Sequence, residues 1–203
     1  GPCASPALVV LLVVPLVVRL AGPLDGPFSD SFGLRLEPSW RSSSSRATRM
    51  VALSGVISAD TQNKTAWVGG GTKIYALGAA LHRHGMALPN QGDIDQQSIT
   101  GATATGTHGT GASLQNLSSR VVGARIALAS GEIVECSPTQ NAELWQASRL
   151  HLGAFGLVVA VQLQCVESYR LQEQIQKLPL SEALNDLDTL VANNRHCEFF
   201  WYP

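Results

Sequence analysis

The sequence predicts an α+β fold, a mixed sheet with helices packed on it. Three observations carry that reading. Val56-Ile57 and Ala66-Trp67-Val68 flank the polar tetrapeptide Thr61-Gln62-Asn63-Lys64, the pattern of a β-hairpin. Ile74, Leu77 and Leu81 then recur at three- and four-residue spacing, which marks an amphipathic helix. Further on, residues 120–128, 132–136 and 157–166 read as strands interrupted by turns and one short helix.

The first 50 residues give the least. Residues 7–20 (ALVVLLVVPLVVRL) are apolar, too short to span a bilayer as a helix, and interrupted by Pro15. Valine and leucine around a proline fit one or two buried strands as well as a helix. No basic segment precedes the run, so a signal peptide is not supported, and membrane association stays open without support. GPLDGPFSDSFG is turn-rich, and SWRSSSSRATR is a basic serine-rich linker.

From Arg49 the pattern is regular. After the hairpin, Gly69-Gly70-Gly71 turns the backbone into a helix over 73–84, with Gly85 placed to follow its last turn. His82 and His84 lie two apart on that helix, point in different directions and read as solvated. Ser130-Gly131 makes a tight turn between two strands. Residues 141–150 form a short helix with Ala142, Trp145 and Arg149 in a stripe, the tryptophan serving packing. Gly153 and Gly156 bracket a turn before a strand over 157–166 that is apolar on both faces. A strand over 170–178 follows, then a helix from Ser181 to about Ala192 whose Leu184, Leu187, Leu190 and Val191 face a core. The aromatic run EFFWY, 198–202, is a last strand, and His196 just before it reads as surface. The chain opens on glycine and stops in that strand, and so reads as a fragment.

Composition excludes several classes. Net charge is −1 with only 14% charged residues, which leaves no electrostatic footprint for nucleic acid. The four cysteines, Cys3, Cys136, Cys165 and Cys197, are scattered without a Cys-x-x-Cys pair, which fits neither a zinc site nor a disulfide scaffold. Two sequons, at Asn63 and Asn116, read as chance in the absence of a secretory signal.

The chemistry concentrates in residues 89–111, PNQGDIDQQSITGATATGTHGTG. From Ser98 onward nothing exceeds threonine in size except Ile99 and His108. Glycines at 101, 106, 109 and 111 free the backbone, and Ser98, Thr100, Thr103, Thr105, Thr107 and Thr110 supply hydroxyls. Such a loop suits a pyrophosphate, although it is neither a P-loop nor the Gly-x-Gly-x-x-Gly of a dinucleotide fold. On composition alone, a phosphate cradle and a turn-rich connection are equally good readings. His108, isolated among small residues, fits either a ligand contact or a structural hydrogen bond.

The stretch NQGDIDQQSITGATATGTHGTG resembles a block of the vanillyl-alcohol oxidase family, whose FAD domain is of the p-cresol methylhydroxylase type. Within that family it is most similar to the L-gulono-1,4-lactone and D-arabinono-1,4-lactone oxidases and dehydrogenases, from about Val51 to Pro203. The resemblance implies the second subdomain of the FAD-binding domain over 51–170, and the start of a truncated substrate (cap) domain over 171–203. Residues 1–50 would be a divergent or incomplete first subdomain. The cofactor implied is FAD, held by Asp93, Ser98, Gly101, Thr105, Gly106, Thr107 and His108 at the diphosphate, ribityl and ring, and by Gly156, Leu157 and Val158 at the adenine half. Asp93 stands where some alditol oxidases have serine, so its contact is its own. The family's Gly-x-Gly-His-Ser loop is absent and no histidine precedes His82, so a covalent histidine link to the flavin is not expected. The implied reaction is oxidation of a sugar lactone by hydride transfer to flavin, with oxygen or another acceptor taking the electrons. An alditol oxidase and a non-catalytic flavin-binding module are the alternatives. The catalytic base would lie outside this chain, His151 reads as structural, and of compartments the cytoplasm is slightly favoured.

Overall fold

In the computed structural model, residues 8–14 and 53–202 are described. The turn-rich and serine-rich readings between residues 21 and 49 lie outside them. The run over 7–20 contributes one strand, β1 (Leu8–Val14).

The hairpin forms from β2 (Val56–Asp60) and β3 (Thr65–Gly69). Asp60 closes it: its carboxylate accepts from the Gln62 and Asn63 amides at 3.0 Å each and from Asn63 Nδ2 at 2.7 Å. Those bonds, Asn63's first, hold the Asp60 carboxyl below the usual range. Helix α1 (Ile74–His82) buries Ile74, Leu77, Ala80 and Leu81, one face at helical spacing. Gly85 ends it at φ +66°, a conformation that glycine adopts freely. His84 is exposed as expected, and exposed His82 also bonds the Ser168 hydroxyl through Nδ1 at 2.7 Å.

Strand β4 (Met86–Ala87), helix α2 (Ile99–Ala104) and a 3-10 turn (Leu117–Arg120) lead into β5 (Val121–Ala127) and β6 (Ile133–Cys136). Helix α3 (Ala142–Ser148) follows, its Trp145 packed on the core with Nε1 donating to the Val121 carbonyl. Arg149 lies over the Trp145 ring, whereas Ala142 is exposed and leaves the expected stripe. Next come β7 (Leu157–Gln164) and β8 (Val166–Glu167). The strand expected over 157–166 therefore breaks at buried Cys165, whose amide bonds the Lys64 carbonyl while Val166 turns to pair with Ala87.

Strands β2-β3-β7-β5-β6 make a five-stranded sheet with every pair antiparallel. Ile74, Leu77, Leu81 and Ile99 from the helices meet Val68, Val121, Ile126 and Leu163 of the sheet in one core. Each fully buried aliphatic side chain there contributes about 1.5–3 kcal/mol. A second sheet has the order β10-β1-β9, with β9 spanning Gln174–Pro179 and β10 spanning His196–Tyr202. β9 starts later than expected because Tyr169 turns back to the loop after β4. Helix α4 (Leu180–Asn193) packs on this sheet. Its buried residue is Ala183, and Leu187, Leu190 and Val191 are half-buried. Leu184 points to solvent, contrary to expectation, because the contacting face runs through 183, 187 and 190.

Candidate functional site

The small-residue stretch is only partly a loop. Ser98 caps α2, its Oγ accepting from the Gly101 amide at 3.3 Å. The Ile99 amide donates to the Thr72 carbonyl and the Thr100 amide to the Gly70 carbonyl. Thr100 Oγ1 donates to that Gly70 carbonyl at 2.7 Å, Thr103 Oγ1 to the Ile99 carbonyl at 2.9 Å, and Thr105 Oγ1 to the Gly101 carbonyl at 3.0 Å. These three hydroxyls do not line an open cradle, one of the two readings that composition left open. They tie a short helix to itself and to the glycine turn before α1. That turn passes close: a Cβ on Gly70 would lie 2.6 Å from the Val158 carbonyl oxygen and 2.9 Å from Thr100 Cγ2. Only backbone fits between α2 and β7.

Beyond α2 the chain changes character. Gly106 sits at φ +74°, and its missing Cβ faces Leu150 Cδ1 at 2.8 Å. The Thr107 amide returns to the Ala102 carbonyl, Thr107 Oγ1 donates to Gln97 Oε1 at 3.2 Å, and the Thr107 carbonyl accepts from the Leu117 amide. Over residues 108–111, among the described residues, no backbone amide donates to a protein acceptor. His108 is exposed, and its Nδ1 lies 3.1 Å from the Gly109 carbonyl oxygen. Gly109 packs against residues 90 and 91: a Cβ there would overlap the Gln91 carbonyl oxygen and sit 2.6 Å from Asn90 Oδ1.

The second expected group, Gly156, Leu157 and Val158, starts β7. Gly156 has φ +127°, and a Cβ would press on the Ala127 carbonyl oxygen at 2.5 Å. Leu157 is exposed, whereas Val158 is buried in the core and offers a partner only its backbone. The preceding loop reaches the end of α2 through the Leu152 amide, which donates to the Ala104 carbonyl. Leu150, Leu152, Phe155 and Leu157 are all exposed along it. His151 accepts from the Gly153 amide at 2.9 Å, in keeping with a structural role, and burial pushes its pKa down.

Asp93 lies apart from α2, on a pocket of about 270 Å³ between the loop after β4 and β10. Asn90, Thr110, Tyr169, Leu171, His196 and Glu198 share that wall. His196 is not the surface residue expected: it is half-buried, with Nδ1 3.1 Å from the Thr110 carbonyl oxygen and 3.2 Å from Thr110 Oγ1. Arg195 beside it donates from Nη2 to the Pro89 carbonyl at 2.6 Å and lies over the Tyr169 ring. Tyr169 in turn donates to the Leu88 carbonyl at 2.8 Å. Nothing in the sequence flagged this junction, because its partners are about a hundred residues apart and use backbone carbonyls.

Residues 43–137 match a family described as an FAD binding domain. The chain carries an FAD-binding domain. L-gulono-1,4-lactone dehydrogenase of Mycobacterium tuberculosis is 43% identical over 154 residues, 76% of this chain and 35% of that protein. L-gulonolactone oxidase of Bos taurus is 36% identical over 154 residues, with the same coverage of 76% and 35%. Among solved structures, 6-hydroxy-D-nicotine oxidase from Arthrobacter nicotinovorans superposes with TM-score 0.52 at 26% identity, covering 57% of this chain and 25% of that one. The chain thus spans about a third of the length of these curated relatives. The recognition as a p-cresol methylhydroxylase-type domain and the α+β class both hold.

FAD is the cofactor of this domain, and the residues present fit it. The amides of residues 108–111 are donors without protein acceptors, as a diphosphate or flavin carbonyl requires. The exposed side chains of Leu150, Leu152, Phe155 and Leu157 offer an apolar surface that starts beside Gly106, as a ring system requires. Among the described residues no group of histidine, cysteine or carboxylate side chains is placed to hold a metal, and no helix is long and apolar enough to cross a membrane.

Proposed function

We propose that the protein oxidises a sugar 1,4-lactone in an FAD-dependent reaction, passing electrons to oxygen or another acceptor. The observation that carries this reading is the 43% identity to a lactone dehydrogenase across 76% of the chain. The stretch so matched includes residues whose amides point at no protein partner. When bound, FAD supplies the acceptor for the two electrons taken from the substrate.

In this reading the chain's own residues bind and orient. Ser98 and Gly101 fix the start of α2. Thr105, Gly106, Thr107 and His108 bring the backbone of residues 108–111 to the cofactor's polar middle. Gly156 and Leu157, with the backbone of Val158, meet its adenine half, and Asp93 stands toward the substrate side. Residues 51–170 form the cofactor-binding unit, and residues 171–202 begin the unit that covers the substrate.

The test is anaerobic addition of L-gulono-1,4-lactone to the purified intact protein, followed by FAD absorbance. Bleaching by the lactone, and none by an alditol such as xylitol, is the expected result. Bleaching by xylitol alone would make the protein an alditol oxidase. Bleaching by neither, with FAD retained, would leave a flavin-binding module. Acid precipitation should leave the flavin in the supernatant, and flavin in the pellet would overturn the non-covalent reading.

A further inference from the structure

The pocket between the loop after β4 and β10 has several hydrogen-bond donors on its wall that are engaged within the protein. Asn90 Nδ2 donates to the Thr110 carbonyl, Tyr169 Oη to the Leu88 carbonyl, and the His196 ring bonds Thr110 through Nδ1. The wall also presents Gln91, Cys197 and the carboxyl groups of Asp93 and Glu198, together with the apolar side chain of Leu171. The two carboxyls face each other from different elements. Burial pushes the Glu198 pKa up, and the Asp93 charge, its hydrogen bond and the Glu173 charge push it in the same direction.

Two carboxyl groups on one wall favour a ligand that brings donors. About 270 Å³ is room for a single ring of five or six heavy atoms with its substituents. A sugar lactone matches on each count: several hydroxyl donors on one edge, and a C–H face for Leu171. We infer that this pocket receives the hydroxyl-bearing edge of the lactone, and that Glu198, with Asp93 opposite, is the specificity-determining acceptor. The inference rests on the lactone reading of the preceding subsection. It adds two residues on β10 and on the loop after β4 that recognise substrate and do not act on the reacting carbon. His196 is the positioning residue: its bond to Thr110 ties β10 to the cradle loop, which keeps Glu198 within hydrogen-bond reach of Asp93.

The FAD-loaded intact protein is compared with its Glu198→Gln variant, using L-gulono-1,4-lactone and the hydroxyl-free γ-butyrolactone as probes. In the variant KM for the sugar lactone should rise about tenfold, as expected for one lost charge-assisted hydrogen bond, at nearly constant kcat. FAD content and melting temperature should not move. γ-Butyrolactone should show no difference between the two proteins. Histidine NMR gives a second readout, since the His196 Cε1–H resonance should shift on saturation with the sugar lactone and not with γ-butyrolactone. If the sugar lactone bleaches the flavin equally well in both proteins and His196 stays still, the pocket assignment falls while the lactone reading stands. If the lactone neither bleaches the parent nor shifts His196, both fall together.

Discussion

The two halves of the small-residue run are built from the same kinds of side chain and put to opposite use. From Ser98 to Thr105, hydroxyls and amides close on the chain itself: on Gly70, Thr72, Ile99 and Gly101. Over residues 108–111 the amides close on no protein acceptor among the described residues. The difference comes from neighbours rather than composition. α2 lies under the glycine turn before α1, close enough that its polar groups must find partners inside. The later segment packs along residues 90 and 91 through Gly109 and meets Arg195 and His196 through Gly111 and Thr110. A glycine- and threonine-rich sequence therefore divides into a structural half and a binding half, and only the fold decides which is which.

The largest effect should come from Gly109→Ala. Its Cβ would overlap the Gln91 carbonyl oxygen, and the clash is with backbone, so neither strand of the loop can yield cheaply. We expect about 3 kcal/mol of lost stability and no FAD binding, read by thermal melts and flavin titration. A melt within 1 °C of the parent would mean that the two segments are not held together. Thr100→Val tests the structural half. It keeps the shape and removes the donor to the Gly70 carbonyl, which should cost about 1–2 kcal/mol in the apo protein while FAD affinity is kept.

His108→Ala tests the binding half, with the signs reversed. The exposed ring should contribute less than about 0.5 kcal/mol to stability, yet FAD binding should weaken about fivefold. A lower apo melting temperature with unchanged FAD binding would move His108 to the structural side. The smallest effect is with pH. Burial, partly offset by the Thr110 bond and reinforced by Arg195, lowers the His196 pKa below its ordinary 6.5. A depressed histidine contributes stability that is complete above the unfolded pKa and lost as pH falls through the folded one. Melting temperature should therefore drop between pH 7.5 and 5.5, and His196→Gln should reduce the drop without abolishing it, since His151 shifts in the same direction.

Much of this was legible in the sequence where the signal is local. The hairpin, α1 with Gly85 at its end, and the strands β5 and β6 follow from spacing and turn residues within a dozen positions. The cofactor class was legible through one resembling block. Helix α2 was not, because six residues that include a glycine, two threonines and an isoleucine carry weak helical preference, and they are held by the Gly70 and Thr72 carbonyls. The pocket was hidden for a different reason. Asp93 and Glu198 are over a hundred residues apart, and neither spacing nor motif joins them. Leu184 fitted the apolar pattern, but only one narrow face of α4 meets a sheet.

The order of strands in the second sheet fixes when it can form. β1 pairs Leu8 with Tyr202 on one side and with Pro179 on the other, so both of its ladders join the beginning of the chain to its far end. Asp60 and Thr65, by contrast, meet across a four-residue turn. Closing a loop of well over a hundred residues costs about 2–3 kcal/mol more in chain entropy than closing one of ten. During synthesis β1 leaves the ribosome long before either partner exists, and it stays a bare apolar strand until β9 and β10 have followed. The five-stranded sheet draws only on strands made in between, so of the ladders described those of β1 wait longest for their partners.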